Sequence, residues 1–163
     1  MKNLIIAIIA LFLVPQVSFG QNKIVSDFIN DFKSIEDATR ISISGNLLDF
    51  AFASDDGDEK VSQKITDIQL FQTDKANAVS KAQYNRLIKD LKSVKFEDFM
   101  SVRNEGDNIN MYIIEKGNKI TNFVLAIRGA DNFLLLSING LFDMDELKEM
   151  DIDIEGMEEI KRA

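Results

Sequence analysis

Phe123-Val124-Leu125-Ala126-Ile127-Arg128, the turn Gly129-Ala130-Asp131-Asn132, and Phe133-Leu134-Leu135-Leu136-Ser137-Ile138 form the stretch that decides the architecture. Two runs of strand length, rich in β-branched and aromatic residues and joined by turn-formers, imply neighbouring antiparallel strands. Phe123, Leu125 and Ile127 make one apolar face, and Leu134, Leu136 and Ile138 match it. Val124, Ala126, Phe133 and Leu135 leave the opposite face apolar as well. A sheet wetted on one side alternates more cleanly. Either both faces are covered, or one lines a groove for an apolar partner. The former is favoured, because a helix upstream and the apolar segment 47–52 are available as covers.

Working outward, Phe96 to Val102 ends at Asn104-Glu105-Gly106-Asp107, and Asn110 to Glu115 ends at Lys116-Gly117-Asn118. With the two runs above, which close at Asn139-Gly140, these predict a C-terminal four-stranded meander. Further upstream, Arg40 to Ser44 alternates with period two until Gly45, and Asp67 to Gln72 reads as another strand. Ile24, Val25, Phe28, Ile29, Phe32 and Ile35 fall on one helical face, predicting a helix over 22–35. Ser80 and Gln83 have capping-box spacing ahead of a helix whose buried stripe is Tyr84, Leu87, Ile88 and Leu91. A short last helix is expected from Asp143, with Glu146 three residues on and Leu147 and Met150 inward. The fold class is α+β, an antiparallel sheet with helices packed on it.

Residues 1–20 read as an address. Lys2 precedes an apolar run from Leu4 to Val14, Pro15-Gln16 breaks it, and Ser18-Phe19-Gly20 supplies small residues around a cut. These are the parts of a cleavable signal peptide. The run is shorter than the ~20 apolar residues that a membrane-spanning helix needs. The expected product is one domain, residues 21–163, with an acidic tail that frays from about 152. Its compartment is expected to be the periplasm, with release outside the cell as the alternative, and no stable membrane insertion after cleavage.

The chain carries a net charge of −8, and loss of Lys2 with the signal makes it −9. No basic stripe with interleaved aromatics stands out along the sequence, so nucleic acid and anionic membranes are poor partners. With no His and no Cys, Ser-His-Asp triads, thiol nucleophiles, disulfides and ordinary zinc or haem ligation are excluded. Ser-x-x-Lys, G-x-S-x-G, phosphate-cradling glycine loops and dinucleotide fingerprints are also missing. Asp55-Asp56-Gly57-Asp58-Glu59 lacks the alternating register of a calcium loop and reads as a solvated turn, with a weak calcium site as the alternative. Tyr84 and Tyr112 read as core residues with hydroxyls at the edge. No catalytic, cofactor-binding or metal-binding residue is nominated, and no cofactor is implied.

Ile41-Ser42-Ile43-Ser44, Asp67-Ile68-Gln69-Leu70-Phe71, Phe96-Glu97-Asp98-Phe99-Met100 and Leu136-Ser137-Ile138-Asn139-Gly140 resemble the domain of unknown function 4252 family. That family comprises small exported proteins of Gram-negative bacteria. The resemblance covers nearly all of residues 21–163. It implies export, and a gene neighbourhood beside extracytoplasmic-function sigma factors implies a role in envelope regulation. The chain departs from the family's lipoproteins in having no Cys.

The expected function is that of an exported envelope or periplasmic protein that acts without catalysis, by contact with an envelope protein. An exposed strand edge, or the tail bearing Met144, Met150 and Met157, would carry that contact. The alternative is a carboxylate-dependent hydrolase, or a binder of an apolar or sugar ligand, with a groove on the sheet.

Overall fold

The computed structural model describes residues 17–45, 64–75, 77–104, 106–143 and 145–146. The apolar run Leu4 to Val14 of the expected signal, the 47–52 segment, the Asp55–Glu59 run and the acidic tail beyond 146 lie outside these residues.

Among the described residues, two helices and six strands follow in the order α1 (Val17–Asp31), β1 (Thr39–Ser44), β2 (Ile65–Thr73), α2 (Lys81–Ser93), β3 (Glu97–Asn104), β4 (Asp107–Lys116), β5 (Lys119–Arg128) and β6 (Phe133–Phe142). All strand pairings are antiparallel, and the sheet order is β1-β2-β6-β5-β4-β3. The predicted meander is thus the larger part of a six-stranded sheet, extended across β6 by the two upstream strands. The β4–β5 hairpin closes Lys116 onto Lys119 through two residues. Gly117 sits at its first loop position with φ +69, a conformation that glycine adopts without cost.

Alternation along the strands sorts the core into two layers. On one face, Phe71, Tyr112, Val124, Ala126, Phe133 and Leu135 pack under both helices. Phe28 of α1 meets Phe133 at 5.7 Å between ring centroids, and Phe32 stacks on Phe71 at 5.6 Å. The opposite face holds Ile109, Met111, Phe123, Leu125, Leu136 and Ile138, all buried. Neither α1 nor α2 contributes to that layer, and its expected cover, residues 47–52, is outside the described part.

A polar row crosses the helix-side face beneath α1. Asp67, Asn139 and Asn122 occupy matched positions on β2, β6 and β5. Asn122 donates to Asn139 Oδ1 at 2.6 Å, and Asn139 donates to Asp67 Oδ1 at 2.9 Å. Gln69 donates to the same Asp67 oxygen and accepts from Ser26 of α1, each at 3.0 Å. Buried amides left unpaired would be costly; paired in sequence, they fix how α1 sits on the sheet.

Several boundaries differ from expectation. The first helix runs from Val17 to Asp31 and not over 22–35, so it crosses the expected cut after Gly20. Beyond it the chain turns, because the Arg40 guanidinium takes the carbonyls of Phe32 and Ile35 at 2.6 and 2.7 Å. Phe32 still packs inward. Asn139-Gly140 is likewise no chain reversal, since β6 runs on to Phe142. Its glycine admits the Lys64 backbone, where an added Cβ would stand 2.3 Å from the Lys64 carbonyl oxygen. Leu141 N–H donates to that same oxygen at 2.9 Å.

Candidate functional site

Helix α2 begins with the expected capping box. Gln83 N–H donates to Ser80 Oγ at 3.3 Å, and Ser80 N–H donates to Gln83 Oε1 at 3.0 Å. Tyr84, Leu87 and Leu91 are buried, while Ile88 is only half-buried. Ile88 is set beside the inward stripe, on the flank of α2 that faces the β3 edge. There the helix stands off the sheet and leaves a cleft of about 500 Å³.

The helix wall of this cleft carries Lys81, Lys89 and Lys92, with Asn85 and Ile88 between them. The sheet supplies the rest. Arg103, Asn108 and Arg128 are register partners on β3, β4 and β5, so they form one row. Asn110 and Tyr112 continue β4 into the floor. Five cationic side chains therefore converge in a chain of net charge −8. Lys92 is matched by Asp98 at 2.7 Å. Lys81, Lys89, Arg103 and Arg128 have no carboxylate partner among the described residues. Arg103 Nε donates to the neutral Asn108 amide at 2.9 Å, which holds its direction without cancelling its charge. Arg128 Nε is buried with no hydrogen-bond partner.

A short relay orients the phenol. Ser101 Oγ donates to Asn110 Oδ1 at 2.8 Å, and Asn110 Nδ2 donates to the Tyr84 hydroxyl oxygen. With its oxygen occupied as acceptor, the Tyr84 hydroxyl keeps its own hydrogen to donate. Burial raises the Tyr84 pKa above the ordinary phenol value, opposed by the Asn110 hydrogen bond and the nearby Arg128 charge. Tyr112 is raised too, first by burial and then by Tyr84 and Asp98. Both phenols stay protonated at neutral pH, as donors. Both are core residues with their hydroxyl end at an edge, as expected from the sequence.

On the other flank of α2, against α1, lies a notch of about 110 Å³. Asp27, Asp31 and Asp90 surround it over a floor of Phe28, Phe32 and Leu87. It gathers three carboxylates, as the hydrolase alternative would need, but it lies between helices and not over the meander. Drug-sized ligand sites run to roughly 300 Å³ and more. Arg86 also stands 3.7 Å from Asp90 in a helical i,i+4 pair.

The basic cleft was not foreseen, since no basic stripe stood out along the chain. Part of it was visible: Lys81, Lys89 and Lys92 are spaced to share a helix flank. Arg103 and Arg128 are 25 positions apart and meet only through strand register. The expectation from net charge describes the surface as a whole, and a cleft can carry the opposite sign.

A six-stranded antiparallel sheet, two helices on one face and a cleft beside the second define a small α+β domain. The chain belongs to the DUF4252 family, a domain of unknown function, whose family model matches residues 32–150. Every residue of the basic cleft falls inside that match, whereas Ile24, Asp27, Phe28 and Asp31 of the notch precede it. No curated protein and no solved structure matches the chain.

Proposed function

We propose that this chain is an exported protein that acts by binding, without catalysis, through the cleft between α2 and the β3–β5 end of the sheet. One observation carries the reading: four cations with no carboxylate partner among the described residues, and two protonated phenols, converge on a space large enough for a small ligand. The cleft is rich in donors, and among the described residues no carboxylate lines it, Asp98 being engaged by Lys92 at its border, so it is built to hold and orient a group. Export is supported by the basic start, short apolar run and small-residue exit of residues 1–20. The hydrolase alternative draws less support, because the aspartates gathered around the described notch, Asp27, Asp31 and Asp90, enclose a space too small for a sugar.

The test is to incubate the isotope-labelled protein with small-molecule fractions of a bacterial envelope and follow the backbone amides by NMR. Shifts clustered on Lys81 to Lys92, Arg103 and Arg128, with the ligand recovered at unchanged mass, are expected. Shifts confined to other surfaces, or conversion of the ligand to a new product, would overturn the reading. For export, intact-mass measurement on protein from the envelope fraction should find a chain beginning at Gln21. Retention of residues 1–20 would refute it.

A further inference from the structure

We propose that the cleft takes a small oxyanion bearing more than one negative charge, anchored on Arg128. This rests on the cleft being the binding site. Lys81, Lys89, Arg103 and Arg128 repel one another around about 500 Å³, and no described carboxylate offsets them. A singly charged ligand would leave most of that repulsion in place, and a cation would add to it. A neutral sugar presents donors and acceptors alike, whereas this cleft offers mainly donors. Lysine and arginine side chains have no acceptor, and the Asn110 hydrogen bond leaves the Tyr84 hydroxyl free to donate.

Arg128 is the anchor for a geometric reason. Its Nε is sealed from solvent and unpaired, so the guanidinium depends on its terminal nitrogens for hydrogen bonds. An anionic oxygen placed there forms the stronger, charge-assisted kind. Arg103, in the same register row, approaches from the edge strand, and Lys81 and Lys89 close from the helix. Phosphate esters and polycarboxylates share the required chemistry. The acidity of the chain as a whole disfavours a long polyanion, which would meet repulsion beyond the cleft.

The protein reports on this site by itself. It has two tyrosines and no tryptophan, and both tyrosines line the cleft. Intrinsic tyrosine emission can therefore be followed while the folded protein is titrated, at constant ionic strength, with pyrophosphate, citrate, glucose or spermidine. A saturable change with pyrophosphate or citrate, and none with glucose or spermidine, is expected. The tighter of the two oxyanions tells a phosphate source from a carboxylate source. Arg128→Gln should weaken that binding about tenfold or more, as loss of a charge-assisted hydrogen bond does. Lys89 is exposed, so Lys89→Glu keeps the test valid if Arg128→Gln misfolds, and it too should weaken binding. Arg86→Gln, on the opposite flank, should leave the affinity unchanged. No saturable response to either oxyanion, or an affinity in both cleft variants unchanged from that of the unsubstituted protein, would overturn the proposal. If a neutral envelope ligand shifts the cleft amides while both oxyanions fail, the binding reading survives and the oxyanion inference falls. If nothing perturbs the cleft, both fall.

Discussion

The two flanks of α2 share one thirteen-residue helix and differ in sign and size. Toward α1, three aspartates surround a notch of about 110 Å³; toward the β3 edge, five cations surround about 500 Å³. The size difference follows from the neighbours. On the α1 side, Phe28 and Phe32 fill the space between the helices, with ring centroids 4.9 Å apart. On the other side, the floor is Asn108, Asn110 and Arg128, polar side chains that leave the space beside α2 unfilled, with Asn110 tied to the helix through Tyr84. The sign difference has two sources: α2 gives the cleft Lys81, Lys89 and Lys92 but gives the notch one charge of each sign, Arg86 and Asp90, and the notch's acidity comes from Asp27 and Asp31 of α1. A helix about 10–12 Å across separates the two sets, comparable to the ~8 Å screening length at physiological salt. Each flank is therefore largely shielded from the other's field.

The harshest way to break the comparison is to remove the wall that both flanks share. Leu91 is fully buried under α2. Leu91→Ala should lower unfolding stability by about 3 kcal/mol, the usual cost of a core leucine, and disturb notch and cleft together. Chemical denaturation measures it; a loss below about 1 kcal/mol would mean that α2 is not seated as described. Ser80→Ala acts at the mouth of the cleft, where the capping box precedes Lys81. It should cost about 1 kcal/mol and fray the cleft end of α2 first, seen as faster amide exchange at Lys81 to Gln83.

A smaller effect of opposite sign is expected where α2 ends. Phe96 N–H reaches the Leu91 carbonyl and Lys95 N–H the Lys92 carbonyl, both at 3.3 Å, a paired closure that needs a left-handed residue. Lys95 fills that place at φ 73. Lys95→Gly relieves the strain while loosening the unfolded chain, for a net gain of about 0.5 kcal/mol. A thermal midpoint that falls would contradict this.

The strands, the capping box and the buried stripe of α2 were legible because each depends on local spacing. Val124, Ala126, Phe133 and Leu135 already signalled a sheet apolar on both sides, and α1 and α2 do cover the face they form. Asp143 and Glu146 also cap one another reciprocally, Asp143 N–H to Glu146 Oε2 at 2.9 Å and Glu146 N–H to Asp143 Oδ1 at 3.1 Å. Asn139-Gly140 misled, because glycine serves both turns and close backbone approach, and only the passage of Lys64 tells which. The polar row of Asp67, Asn122 and Asn139 was hidden for another reason. Each residue interrupts an apolar pattern singly, and pairing them requires the order β2-β6-β5. The cleft was illegible in the same sense: two of its five cations come from strands whose register no local pattern states.

The finest test of the comparison uses the two phenols. Arg128 lowers the Tyr84 pKa and is the smallest of its three influences, after burial and the Asn110 hydrogen bond. Arg128→Gln removes a positive charge that favours phenolate, so Tyr84 should ionise at a still higher pH. Arg86→Gln removes the same charge from the far flank and should leave the titration where it is. Ultraviolet absorbance resolves this without labels, since Tyr84 and Tyr112 are the chain's two tyrosines. The linkage to stability has a definite sign. A phenol whose folded pKa lies above its unfolded value of about 10 contributes stability below that pH, and the contribution is lost as pH rises through the folded pKa. Arg128→Gln should therefore deepen the alkaline loss of stability and extend it to higher pH, relative to the neutral-pH stability of the same variant, so that alkaline unfolding comes no later. An equal shift from Arg86→Gln would show that α2 does not separate the flanks, and that the cleft and the notch sense one field.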